Sequence, residues 1–352
     1  MRKEVVFEGK KVYELGEEWQ KAAVTKKEGE ACRHRLEKRW YRRMVVLNFL
    51  IIIGVIAMVV HNWDKNLDLA KQAVEQMKTE MEEEMEKEDK TAEDRKKKEN
   101  RSKEEQSQEG NESKKAETAS TEKLTEEDVP LEISALLYGL FILVGTYFML
   151  YYYHAYYCSN SVRITEKNFK EVYDLIEEYS RRLGIKTPKA YVVQQSGVLN
   201  AFATFIFRRQ WICIHAELFE VAYREHKDMD ALAFVIAHEL AHIYYGHATL
   251  HYVMPILFAQ CIPPFRAIAS RTREYSCDRL AQRLVGKDGL DAMLALVVDR
   301  HLYKMVDKQD YIEEMRERKG FFLWIVNMFA DHPIMNKRIL ALVDGKGSGR
   351  LY

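Results

Sequence analysis

Cysteine is scarce in this sequence, and what there is lies scattered. Cys32, Cys158, Cys213, Cys261 and Cys277 are odd in number, form no CxxC pair and leave residues 61–130 without a thiol. That excludes a disulfide framework and fits a folded part held in a reducing compartment. Net charge is missing too: 54 Lys and Arg balance 54 Asp and Glu, so composition makes no case for a nucleic-acid partner. Nor does the first apolar run read as a removable leader. The first apolar run starts only at Met44, after a largely polar segment, and no small-x-small cleavage pattern follows it; it reads as a signal anchor.

Charge vanishes locally where apolar residues collect. Met44 to Val60 (MVVLNFLIIIGVIAMVV) and Ile133 to Tyr157 (ISALLYGLFILVGTYFMLYYYHAYY) hold no charged residue. With its flanks each supplies about 20 apolar residues, enough to cross a hydrocarbon core of about 30 Å as a helix. Trp40, Tyr41 and Trp63 bracket the first run, and Tyr147, Tyr151, Tyr152, Tyr153, Tyr156 and Tyr157 close the second, as interfacial aromatics do. The basic stretch RHRLEKRWYRR (Arg33 to Arg43) precedes the first run, and Arg163, Lys167 and Lys170 follow the second. By the positive-inside rule both termini face the cytoplasm and the segment 61–130 lies outside. The same basic stretch could instead hold anionic lipid or nucleic acid.

These features divide the chain into a short cytoplasmic segment (1–43), a first membrane helix (44–63), a charged external loop (64–130), a second membrane helix (131–157) and a globular domain (159–352). In the loop, Leu67, Ala70, Val74, Met77 and Met81 recur at spacings of three and four. That is the pattern of a coiled-coil seam, through which residues 64–85 could self-associate; a solvated single helix fits as well. From Glu86 to Asp128 almost no large apolar residue occurs, so disorder is expected there.

The globular part reads as α+β and mostly helical, with a small sheet. NFKEVYDLIEEYSRRLG (168–184) is an amphipathic helix ending at a glycine, and KAYVVQQ (189–195) and QWICIHAELFE (210–220) are strands, the second running into a helix. DMDALAFVIAHELAHIYYGH is apolar nearly all round except for His238, Glu239 and His242, so a buried helix is expected. Further helices are expected over about 252–262, 266–286, 288–305 and 333–344. FFLWIVNMFA (321–330) is too short to span a bilayer and reads as a core helix or an interfacial segment.

On a helix, His238 and His242 share one face, so both imidazoles can point at one ion. Glu239 projects about 100° away, close enough to take a proton from water beside the metal without ligating it. Two imidazoles and a carboxylic acid idle in an apolar helix would be costly, so zinc, one ion per chain, is the expected cofactor. Catalytic zinc usually has three protein ligands. The HExxHxxGxxH pattern fails, because Tyr245 and Ala248 stand where it needs glycine and histidine, and His247 is one place out of register. RTREYSCDRLAQRL (271–284) offers Glu274 as a ligand, with Asp278 one turn on to orient an imidazole. Solvated charge on a surface helix is the other reading of those two carboxylates.

The set His238-Glu239-Leu240-Ala241-His242, Arg271-x-x-Glu274-Tyr275-x-x-Asp278, and His332-Pro333 with Arg338 resembles the HtpX and CAAX prenyl protease family of membrane zinc metallopeptidases. The resemblance covers roughly residues 165–345. It implies a zincin-like, gluzincin fold with His238, His242 and Glu274 on zinc and Glu239 as general base. It further implies that His332 and Arg338 act near the cleft on the substrate carbonyl or oxyanion. The stretch Asn200-Ala201-Phe202-Ala203 would be an edge strand that aligns a peptide. HtpX-type members carry two membrane spans between the metal helix and the third ligand; here only residues 243–273 intervene, and MPILFAQCIPPF (254–265) is broken by three prolines. The chain therefore reads as a compact member, and the motif set with its Lys, Glu and Tyr richness suggests a bacterial source.

The function expected is a membrane-anchored zinc endopeptidase acting on membrane proteins or hydrophobic peptides at the cytoplasmic face of the bilayer. The alternative is a membrane sensor or scaffold whose protease-like domain binds metal without hydrolysis.

Overall fold

The computed structural model describes residues 21–101, 129–194, 200–206, 209–225, 227–330, 332–345, 349 and 351. The elements are α1 (Lys26–Cys32), α2 (Glu37–His61), α3 (Trp63–Arg101), α4 (Leu131–Ser159), β1 (Ser161–Arg163), α5 (Lys170–Leu183), β2 (Lys189–Val193), β3 (Ala201–Ile206), β4 (Arg209–His215), α6 (Ala216–Glu220), α7 (Met229–Tyr244), α8 (Leu250–Val253), α9 (Pro263–Val285), α10 (Leu290–Val298), α11 (Lys308–Glu317), α12 (Phe321–Phe329) and α13 (Met335–Asp344). They fall into two compact units, one of residues up to Ile51 with those from Leu143 onward, the other Ile52–Ile142.

The smaller unit is helical. α2 and α4, with mean hydropathies of 2.7 and 2.0 over their most apolar windows, are both long and apolar enough to cross a membrane. Beyond the apolar run, Asn62 donates to the Glu132 carboxylate at 2.6 Å, joining the two turns of chain that leave the apolar layer. α3 continues to Arg101, past the Glu86 at which composition puts the onset of disorder. The correction has a local cause: Glu, Lys, Met and Gln are strong helix formers, and pairs such as Glu86–Lys90 support the next turn. The rest of the stretch expected to be disordered, residues 102–128, lies outside the described residues. Leu67, Val74, Met77 and Met81 of the proposed seam are exposed along α3.

The larger unit is α+β. Its sheet has the order β1-β2-β4-β3, with β2 and β4 parallel and the other pairs antiparallel. The two-residue alternation of β4 divides the faces. Ile212 and Ile214 enter the main core with α5, α7 and α10, while Trp211 and Cys213 turn to the opposite face under Tyr157, Cys158 and Phe202. The foot of α4 thus roofs the outer face of the sheet. The foot of α2 is held as well: Met44 is fully buried against Ile256, Ala259 and Ala269. Asn48 Oδ1 accepts the backbone N–H groups of Phe258 (2.8 Å) and Ala259 (3.2 Å).

α7 is the central helix of the core. Asp228 caps it by accepting the Ala231 N–H at 3.1 Å, and every residue from Ala231 to Ala241 is buried, as its nearly uniform apolarity requires. α5 stops at Gly184, whose φ of 65° suits glycine. Three expectations change. The stretch 252–262 is α8 followed by two short 3₁₀ turns rather than one helix, because Pro255 cannot continue the ladder. The helix expected over 288–305 ends at Val298, and α11, capped by Asp307, replaces a stretch with no element assigned.

Candidate metal centre

α7 and α9 pack side by side and bring three donors together. His238 Nε2 and His242 Nε2 are 3.2 Å apart. Glu274 completes the triangle, with Oε2 3.4 Å from His238 Nε2 and Oε1 3.5 Å from His242 Nε2. Donors 2.0–2.1 Å from the centre of a tetrahedron stand about 3.4 Å from one another, so the spacing is that of a zinc site. The protonation pattern agrees. His238 Nδ1 lies 2.8 Å from Asp278 Oδ1. His242 Nδ1 lies 3.1 Å from His247 Nδ1, and His247 Nε2 lies 3.1 Å from Glu37 Oε1. Burial pushes His247 down to about 4 despite the Glu37 carboxylate, so its ring is neutral: it donates Nε2–H to Glu37 and accepts at Nδ1 from His242. Nδ1 of each imidazole thus faces away from the cleft, toward Asp278 and His247, and both Nε2 atoms face the Glu274 carboxylate.

Two buried carboxylates stand at the site. Glu274 and Asp278 are almost fully buried. Burial alone would raise Glu274, but hydrogen bonds from His238, His242 and His332 hold it well below the ordinary carboxylate range. Asp278 is raised by burial and held down overall by Arg338 and His238. Arg338 grips Asp278 with two bonds, Nε to Oδ2 at 2.9 Å and Nη2 to Oδ1 at 2.6 Å, and its Nη1 reaches 3.6 Å from Glu274 Oε2. The donor set fits zinc: two imidazole nitrogens and a carboxylate around one point.

Glu239 is also buried, on the cleft side of α7. Burial raises its carboxyl above the usual range, opposed by the two histidines and the Ala203 backbone. The cleft, about 390 Å³, is lined by Asn200 to Phe205, by His238, Glu239, His242 and Glu274, and by His332 and Arg338. Among the described residues β3 pairs with β4 alone, and as an edge strand it forms one wall. His332 is two-thirds exposed at the mouth, its Nδ1 3.1 Å from Glu274 Oε2; that bond raises its pKa.

The sequence-level candidates thus meet in one cleft: His238, Glu239, His242 and Glu274 at its floor, Asp278 behind, Asn200, Ala201, Phe202 and Ala203 along the wall. His332 and Arg338 line the cleft as well, the Arg338 guanidinium bonded to Asp278. Sequence reasoning missed His247, Glu37 and Ser276. Ser276 Oγ donates to Glu37 Oε2 and accepts the His34 N–H at 2.8 Å, while Arg33 Nη1 lies 2.7 Å from Glu37 Oε1. His247, five residues after His242, was the available signal; nothing in the basic stretch around Glu37 marks that residue. Cys277 Sγ lies 3.7 Å from His247 Nδ1. Burial pushes that thiol up, and His242, His247 and Cys277 form a second group of donors that shares His242 with the first.

The sequence model described as "Peptidase family M48" matches residues 166–262, which include β2, β3, β4 and α7 but stop short of Glu274. The chain is 30% identical over 111 residues to a protein named "Protease HtpX homolog" from Halobacterium salinarum, an alignment covering 32% of this chain and 36% of that one. The chain thus spans about a third of the length of the curated relative it matches. No solved structure matches it. Through residues 166–262, the segment that carries His238, Glu239 and His242, the chain is similar to peptidase family M48.

Proposed function

We propose that this protein is a membrane-anchored zinc endopeptidase with a gluzincin site, its cleft on the cytoplasmic side and its loop 61–130 outside. The observation that carries the reading is the convergence of His238 Nε2, His242 Nε2 and a Glu274 oxygen within 3.5 Å of one another, beside a buried Glu239. Zinc bound there would supply the Lewis acidity that makes water nucleophilic near neutral pH.

The chain's own groups do the rest. Glu239, raised above the usual carboxylate range by burial, takes a proton from the attacking water and returns it to the leaving amine. The free edge of β3 offers backbone N–H and C=O groups to an extended peptide, which would bind as an added strand. Asn200 begins that wall, and Phe202 and Phe205 give it apolar character. His332 stands at the mouth, where its proton can reach the oxygen of a scissile carbonyl. Arg338 acts through Asp278, holding the carboxylate that orients His238. Substrates are membrane proteins or hydrophobic peptides, because both apolar helices root in the domain that carries the cleft.

The test is metal content and cleavage of casein or a fluorescent peptide by detergent-purified protein, wild type beside Glu239→Gln. We expect about one zinc in each, cleavage abolished by chelator, and a loss of roughly 10²–10⁴-fold in the variant. Zinc without cleavage in the wild type would favour a metal-binding sensor; no zinc in either would refute the proposal.

A further inference from the structure

α12, the helix before the His332 loop, is built inside out. Its sequence FFLWIVNMF has a single polar residue, and that is the buried one: Asn327 is 1% exposed, against 67% for Phe321, 79% for Phe322 and 56% for Phe329. Asn327 Nδ2 donates to the Leu351 carbonyl at 3.0 Å, and its Oδ1 accepts the Ile334 N–H at 3.3 Å. The helix is pinned by its polar residue and turns aromatic rings outward. Facing water, such a patch is unfavourable; facing lipid, it is the stable orientation.

The bonds around it give the level at which α12 sits. Asn48 lies inside the uncharged run Met44–Val60, and its carboxamide oxygen holds the N–H groups of Phe258 and Ala259. That segment therefore stands beside the first turns of the apolar run. A few residues on, Phe265 meets Trp40, with ring centroids 6.5 Å apart. Leu351, whose carbonyl pins Asn327, packs in one cluster with Ile268, Tyr275, Leu36 and Trp40. α12 is thereby tied to the layer at which α2 enters its apolar run.

We propose that α12 lies in the plane of the bilayer interface on the side of the globular domain, with Phe321, Phe322, Val326 and Phe329 among the acyl chains. Its occupant is lipid, and the helix is a third point of attachment that fixes the tilt of the domain over the membrane. This goes beyond peptide hydrolysis and rests only on the anchoring part of the functional reading.

The full chain is reconstituted into phosphatidylcholine vesicles, and the emission of Trp324 is isolated as wild type minus Trp324→Phe. Lipid brominated in mid-chain should quench most of that difference emission, while iodide in the aqueous phase leaves it unchanged. Quenching by iodide instead, or by neither agent, would overturn the proposal, the second result showing a protein surface such as another copy of this chain over α12. Phe322→Trp provides a second reporter should Trp324→Phe not fold. Flotation on a density gradient separates the two readings: a chain that fails to float overturns the anchor and this proposal together, whereas one that floats with an iodide-quenched Trp324 overturns this proposal alone.

Discussion

At the residue scale, the candidate metal centre is held by carboxylates that stand outside its donor triangle. Asp278 fixes His238, and Glu37 fixes His242 through His247. Removing such orienting partners typically costs 10–100-fold in metal affinity. We therefore expect His247→Ala and Glu37→Gln each to raise the zinc dissociation constant by about that range, measured by chelator competition on the folded apoprotein. An unchanged constant in both would show the relay to be merely structural. His238, Glu239 and His242 were legible in the sequence because helical spacing alone brings them to one site. Glu274 and Asp278 were legible as a pair one turn apart, but only a family resemblance could direct them toward α7. Glu37 was not legible at all. It lies 210 residues from His247 and 239 from Ser276, and no local rule spans such a gap.

At the element scale, α7 depends on both its cap and its neighbours. Burial pulls the Asp228 carboxyl up, yet the Lys304 ammonium, the Tyr303 hydroxyl and the Ala231 N–H hold it below the ordinary aspartate range. A carboxyl depressed in the folded state stabilises above its unfolded pKa of about 3.9, and that stabilisation is lost as pH falls through the lower folded value. Thermal melting should show Asp228→Ala destabilised by about 1 kcal/mol at neutral pH, the usual worth of a cap, with the difference from wild type shrinking in acid below that window. Gly289 makes a second test. Its φ is +78°, and an added Cβ would stand 2.2–2.6 Å from the ring of Phe234 on α7. Gly289→Ala should cost about 2 kcal/mol or more, from left-handed strain and overpacking together; a melting temperature equal to wild type would show that the α10 start can shift. The nearly uniform apolarity of α7 made it readable from sequence, as did the alternation in β4. The stretch 252–262 misled because an apolar run looks helical until its proline is weighed. α11 was overlooked because KQDYIEEMRE has only a thin apolar stripe.

At the scale of the whole molecule, the two apolar helices and the charge around them make a topological prediction. A cysteine placed at Glu75 on α3 should react with a membrane-impermeant maleimide added to intact cells, whereas one at Glu313 on α11 should react only after the membrane is opened. Labelling of both sites, or of Glu313→Cys alone, from outside would reverse or abolish the orientation read from Lys and Arg.

The position of Glu37 also bears on how the proposed peptidase would assemble. This carboxylate opens α2 and leaves the ribosome early, with the segment that enters the membrane. Glu274 and Ser276 emerge more than two hundred residues later. Until α9 has been made and has docked against the foot of α2, the site lacks one ligand and His247 lacks the outer half of its support. On the proposed reading, a nascent chain is lodged in the bilayer well before it can hold a metal firmly, and peptidase activity arrives only with completed docking.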